Sequence, residues 1–102
     1  MVPIAPSVPL VLVGELDADN ARRVYAEVRT HGDNVLGDVV VDCAGVTFVD
    51  CSTVGAFASA AWQLRGENRR VVLVGLQGAC RRLFEITGSL GLFDERNDLP
   101  PI

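Results

Sequence analysis

Four consecutive residues, Asp50-Cys51-Ser52-Thr53, set a carboxylate, a thiol and two hydroxyls side by side. They fall where a strand-like run, Val46 to Val49, gives way to a helical pattern. Backbone N–H groups at a helix start are unpaired and the dipole is positive there, so an anion is welcome. A phosphate on Ser52 or Thr53 would gain from that end. It would also bring about −1.5 to −2 charges beside Asp50 and Asp17, and the repulsion would make the site a switch. The plainer reading makes Ser52 an N-cap and Asp50 a turn residue.

Other chemistries find little to work with. Glu15, Asp17 and Asp50 offer a carboxylate cluster, but GxSxG, GxGxxG, P-loop and HExxH patterns are all missing. His31 is the single histidine and sits in a polar stretch with Gly32, Asp33 and Asn34, which reads as a solvated loop. Cys43, Cys51 and Cys80 have no CxxC spacing for zinc. Cys51 reads as a small buried side chain standing in for serine; the alternative is a redox-responsive thiol. No enzyme is expected.

Composition narrows the class. The 102 residues are 49% hydrophobic and 22% charged, enough apolar content for one packed domain and too much for disorder. The net charge of −4 argues against nucleic acid, which needs a basic face. All nine basic residues are arginine. No apolar run approaches the ~20 residues a bilayer demands, so direct membrane insertion is not expected. The N-terminus lacks the basic region of a signal peptide, and three cysteines without one point to a reducing, cytoplasmic setting.

The elements that must position Ser52 follow from periodicity. Leu10 to Val13 is a short apolar run closed by Gly14, expected as a buried strand. Asp17 is the expected N-cap of a first helix carrying Ala21, Val24, Tyr25 and Val28 inward, with Arg22 and Arg23 on its solvated face. Val39 to Val41 is a second strand, turned at Cys43-Ala44-Gly45 before Val46 to Val49. Ser52 then caps a second helix with the stripe Val54, Phe57, Ala58, Ala61 and Leu64. Trp62, at the edge of that stripe, is expected to pack in the core, with an interface anchor as the alternative. Val71 to Val74 is a third strand. A third helix from Gly78 turns Ala79, Leu83 and Ile86 inward and ends at Thr87-Gly88, and Leu92-Phe93 opens a short last strand. Val2 to Ile4 is a possible extra strand, and residues 97–102 are expected to be a flexible tail.

This alternation implies a single α/β domain over residues 1–102, a mostly parallel sheet of about four strands packed with about three helices, the helices mainly on one face. Ligands and partners gather outside the carboxyl ends of such strands. Three loops are expected there: Gly14 to Asp17, Val49 to Thr53, and Gly75 to Gly78.

The segments Gly14-Glu15-Leu16-Asp17, Val39 through Asp50, Cys51-Ser52-Thr53-Val54-Gly55, Leu83-Phe84-Glu85-Ile86-Thr87-Gly88 and Leu92-Phe93 together resemble STAS domains, in order and over nearly the whole chain. The nearest subgroup is the anti-sigma factor antagonists. The resemblance implies a bacterial binding protein that engages an anti-sigma factor which is also a serine protein kinase. Binding frees a sigma factor, phosphorylation by that kinase breaks the contact, and a phosphatase resets it. ATP belongs to the partner, and this chain carries no cofactor of its own. The implied partner surface is Glu15, Asp17, Asp50, Cys51, Ser52 and Thr53. The family's acceptor position, directly after the aspartate, holds Cys51 here, and Thr53 stands where glycine is usual. The resemblance therefore moves the acceptor to Ser52 or Thr53, or leaves a module without phosphorylation or under redox control. The chain ends soon after Phe93, where many members carry a further helix. A STAS subunit of another assembly, such as a lipid-import ABC transporter, is the second reading.

Overall fold

The computed structural model describes residues 8–96. Strand β1 (Leu10–Leu16) leads to helix α1 (Ala21–Asp33), then β2 (Val39–Val49), α2 (Cys51–Arg65), β3 (Val71–Val74), α3 (Gly78–Ile86), a 3-10 turn (Ser89–Leu92) and β4 (Phe93–Arg96). The four strands lie side by side in chain order, and every neighbouring pair is parallel. The expected α/β class, with four strands and three helices, is thus present. The possible strand at Val2 to Ile4 and the expected tail at 97–102 lie outside the described residues.

Alternation along the strands separates two apolar faces. Val39, Val41, Cys43, Val71, Leu73 and Phe93 join residues from all three helices in the main core. Val40, Val72 and Val74 form a second buried cluster. Every residue of β3 is therefore buried, as a continuous Val/Leu run in a parallel sheet requires. At the centre, Phe57, Phe84 and Phe93 meet with ring centroids 5.5 to 6.4 Å apart in tilted and edge-on geometry. That triad fixes the face of α3. Cys80 and Phe84 point inward, and Leu83 is only partly covered. Ala79 and Ile86, expected inside, are exposed, Ile86 at 73%.

Two glycines expected to end or turn strands do neither. β1 runs through Gly14 to Leu16, and β2 runs unbroken through Cys43-Ala44-Gly45. The β1–β2 register shifts between Val11 and Val13 and again between Gly14 and Glu15. Gly45 serves this irregular stretch by close approach: a Cβ there would lie 2.9 Å from Val13 Cγ1. The result is a long β2 whose second half pairs with β1 alone. Val74 pairs with Asp42, whereas Leu16 pairs with Val49. The Gly75 to Gly78 loop is consequently set back against Ala44 and does not share the rim with the other two loops.

Both helix starts are displaced from expectation. The residue before α1 is Asn20 and not Asp17; its side chain reaches back, donating to Glu15 O at 3.0 Å and accepting from Asp17 N at 2.9 Å. His31 is no loop residue. It lies in the last turn of α1, partly exposed, with Nε2 2.6 Å from Val8 O. The far end of α1 is held by Arg69, which donates to the carbonyls of Gly37 (2.7 Å), Gly32 (2.8 Å) and Val35 (3.1 Å). A cation there satisfies orphan carbonyls and suits the negative end of the dipole.

Gly75 and Gly37 separate two costs of a side chain. Both have positive φ, 75° and 71°, but a Cβ at Gly75 would meet Ala44 Cβ at 2.9 Å and its backbone N at 3.1 Å, while nothing lies within 4 Å at Gly37. Gly37→Ala should cost about 1 kcal/mol, the ordinary penalty of left-handed backbone. Gly75→Ala should cost roughly 1–3 kcal/mol more, because Ala44 must move. Urea denaturation of both variants checks this, and equal losses would refute the contact.

Candidate partner-binding rim at the start of the second helix

The rim forms where β1 and β2 end together. Leu16 and Val49 are paired, so the segments after them leave the sheet side by side. Leu16 is buried, and its carbonyl accepts from Asp50 N at 3.2 Å and from Thr53 Oγ1 at 2.7 Å. Asp50 is the N-cap of α2: its Oδ1 accepts from Thr53 N at 2.9 Å and lies 3.1 Å from Thr53 Oγ1. The threonine hydroxyl has one proton, and the shorter contact directs it to Leu16. Ser52 was expected as the cap; the helix starts two residues earlier than that reading requires, and Ser52 falls in the first turn, exposed.

These contacts sort the four residues of the motif. Thr53 is 0% exposed with its hydroxyl committed, so it leaves both the partner surface and the list of acceptors. A kinase reaches no hydroxyl held inside the fold. Ser52 and Cys51 are both exposed. The expectation that Cys51 packs inside as a serine substitute is thereby corrected. It stands at the first helical position, whose side chain faces out once Asp50 has taken the cap. Cys43 and Cys80 are buried, and burial first, then Asp42 and Cys80, push the Cys43 thiol up to about 12. Cys43 is therefore unreactive at neutral pH.

The carboxylates flank the rim without converging. Glu15 is exposed on β1, and Asp17 Oδ1 accepts from Asp19 N at 3.0 Å in the connecting turn. Among the described residues no three His, Cys, Asp or Glu side chains meet as a metal site requires, so Glu15, Asp17 and Asp50 do not form the cluster their sequence spacing allowed. The Asp50 carboxyl is held below its usual range. The Thr53 N–H contributes most and outweighs the opposing cost of desolvation, with the N–H groups of Ala18 and Ser52 adding to it.

Further along α2, Trp62 is 66% exposed beside Arg65 and Gly66, so it is not the core residue expected. Its inward neighbours Ala60, Ala61 and Leu64 fill the stripe instead, and Ala58 is only partly covered. Tyr25 bridges the two helices, donating from its hydroxyl to Gln63 Oε1 at 2.7 Å. Sequence periodicity marked neither this bridge nor the wholly buried Thr53. A threonine after a cap aspartate is the only local signal.

Removing the hydroxyl at the buried position should matter more than at the exposed one. Thr53→Val should lower unfolding free energy by roughly 1–2 kcal/mol, and Ser52→Ala should stay within about 0.5 kcal/mol of wild type; chemical denaturation decides. Folding lowers the Asp50 pKa from 3.8. The ionised cap therefore stabilises the fold above that value and the benefit is lost as pH falls through the folded pKa. Melting temperature should drop on acidification below about pH 4 in wild type, and Asp50→Asn should flatten that part of the profile. An unchanged profile in Asp50→Asn would assign the acid loss to other carboxylates.

Known proteins share this architecture. The family model of the Mlab STAS domain matches residues 5–93. The anti-sigma-B factor antagonist of Listeria monocytogenes is 30% identical over 92 residues, covering 88% of this chain and 79% of that protein. The anti-sigma factor antagonist SpoIIAA in its unphosphorylated form superposes with a TM-score of 0.67 at 20% identity, over 88% of this chain and 78% of that one. Bacillus SpoIIAA in the phosphorylated form gives 0.65 at 21% identity, over 88% and 82%. A sulfate transporter family protein from Wolinella succinogenes gives 0.69 at 12% identity, over 89% and 73%, and shares the fold alone. With a family match from residue 5 to residue 93 and a parallel sheet whose second helix starts at an aspartate cap, the chain belongs to the STAS domain family.

Proposed function

We propose that this protein is an anti-sigma factor antagonist, a binding module and not an enzyme, that engages an anti-sigma factor through the rim at the start of α2. The observation that carries the reading is the 30% identity over 92 residues to an anti-sigma-B factor antagonist. The exposed pair Cys51 and Ser52, held beyond the sheet by the buried Thr53, supports placing the partner there. The partner surface is then Glu15, Asp17, Asp50, Cys51 and Ser52. Among the described residues no helix is long and apolar enough to cross a membrane. We place the protein in the cytoplasm with its partner.

Control follows from the same geometry. The partner is also a serine kinase that holds the ATP, and Ser52 is its acceptor. A phosphate on Ser52 adds about two negative charges beside Asp50 and next to the partner surface, so affinity falls. A phosphatase restores the hydroxyl. Cys51, exposed beside it, offers a second control point: oxidation to a sulfenic acid or a mixed disulfide would put polarity and bulk on the same surface.

A second reading rests on the family model, whose description is that of Mlab. On it the chain is a STAS subunit of a lipid-import ABC transporter, and the same rim meets an ATPase. Affinity capture separates the two, returning an anti-sigma factor on the first reading and a transporter ATPase on the second.

Incubation with the candidate kinase and ATP, followed by site mapping, tests the switch. Label should appear on Ser52 and vanish in Ser52→Ala while partner binding is kept. Ser52→Glu should weaken binding by about tenfold or more. Label that persists in Ser52→Ala would overturn the assignment.

A further inference from the structure

We propose that Arg22 is the residue that receives a phosphate on Ser52, drawing it across the groove between α1 and α2. The proposal rests on the reading of Ser52 as acceptor and adds a specific partner for the modified side chain.

Arg22 is oddly placed for an ordinary surface arginine. It stands in the first turn of α1, which contains no acidic residue, so its charge opposes the positive end of the helix dipole. Its neighbour Arg23 shares the position but has a remedy, an ion pair with Glu27 one turn on at 2.9 Å. Among the described residues Arg22 makes no ion pair and donates no side-chain hydrogen bond, and it is exposed. The arginine is thus unneutralised where a cation is least favoured.

The groove it borders holds Ser52. One surface depression of about 420 Å³ is lined by Ala21 and Arg22 from α1 and by Ser52, Gly55, Ala56 and Ser59 from α2. The α2 wall next to Ser52 is made of the small residues Gly55, Ala56 and Ser59, and a Cβ at Gly55 would stand in open space; the larger Tyr25 and Gln63 also line the depression and bond each other. Asp50 and Asp17 each accept a backbone N–H, from Thr53 and Asp19, and among the described residues neither forms an ion pair with Arg22. A guanidinium is matched to phosphate by two parallel N–H···O bonds. The pair offsets the repulsion that Asp50 exerts on the phosphate, and it lays the phosphate over the groove mouth, where it obstructs a partner sterically as well as by charge.

The test installs phosphoserine at position 52 during translation, so no kinase is needed, and follows the phosphate by 31P NMR as pH is raised. In the wild-type background Arg22 favours the dianion and lowers the second phosphate pKa. Arg22→Gln should raise that pKa by roughly 0.2–0.7 unit, the range of an exposed charge pair, and 1 M salt, with a screening length of about 3 Å, should reduce the difference. Arg23→Gln, on the same turn but paired with Glu27, should leave it unchanged. Identical titrations of wild type and Arg22→Gln, or an equal rise in Arg23→Gln, would overturn the proposal. A kinase that fails to label Ser52 overturns the switch proposed above but leaves this titration intact, so the two failures are distinguishable.

Discussion

The carbonyl of Leu16 is the point on which the rim depends. It closes β1, and it accepts from both the Asp50 N–H and the Thr53 hydroxyl, so the end of β1 and the start of α2 are joined through one buried oxygen. Asp50 then caps α2 from outside the same knot. A buried hydroxyl is tolerated only when it is bonded, and this one is bonded to the atom that needs it. Everything exposed at the helix start takes its direction from that arrangement. Fixing residues 50 and 53 leaves 51 and 52 facing solvent.

The side chains that face outward at the rim are the Cys51 thiol and the Ser52 hydroxyl, while Asp50 and Asp17 accept from backbone N–H groups. The stable parts lie below: the phenylalanine triad, the continuous Val/Leu run of β3, and Arg69 stitching the end of α1 to the loop before β2. The same fold carries a sulfate transporter family protein at 12% identity, so the architecture alone says little about a partner. The features that bear on a partner are local: Cys51 and Ser52 in the open positions, Trp62 exposed further along the same helix, and Arg22 in the first turn of α1.

Much of this was legible in the residues, and the failures have physical causes. β3 announced itself because a strand buried on both faces needs a run of branched apolar residues. The rim itself was readable from the order of elements, since parallel strands deliver their loops to one edge. Gly14 and Gly45 misled because a glycine that ends a strand and one that lets two strands approach look alike in one dimension. Asp50 and Ser52 both have capping side chains, and only the true start of α2 chooses between them; a shift of two residues moves Thr53 from the surface to the core and Cys51 from the core to the surface. The face of α3 was set by the distant rings Phe57 and Phe93, and the role of Arg69 by carbonyls more than thirty residues away in sequence. Neither leaves a local trace.

Hydrogen–deuterium exchange of the unphosphorylated protein with and without the anti-sigma factor proposed as its partner tests the central claim most directly. A partner seated on this rim should slow exchange in the turn from Asp17 to Asn20 and in the first turns of α2, from Cys51 to Ala56, and leave β4 and the outer face of α3 unchanged. Protection confined to α3 and β4, with residues 50–56 exchanging as in the free protein, would contradict the account.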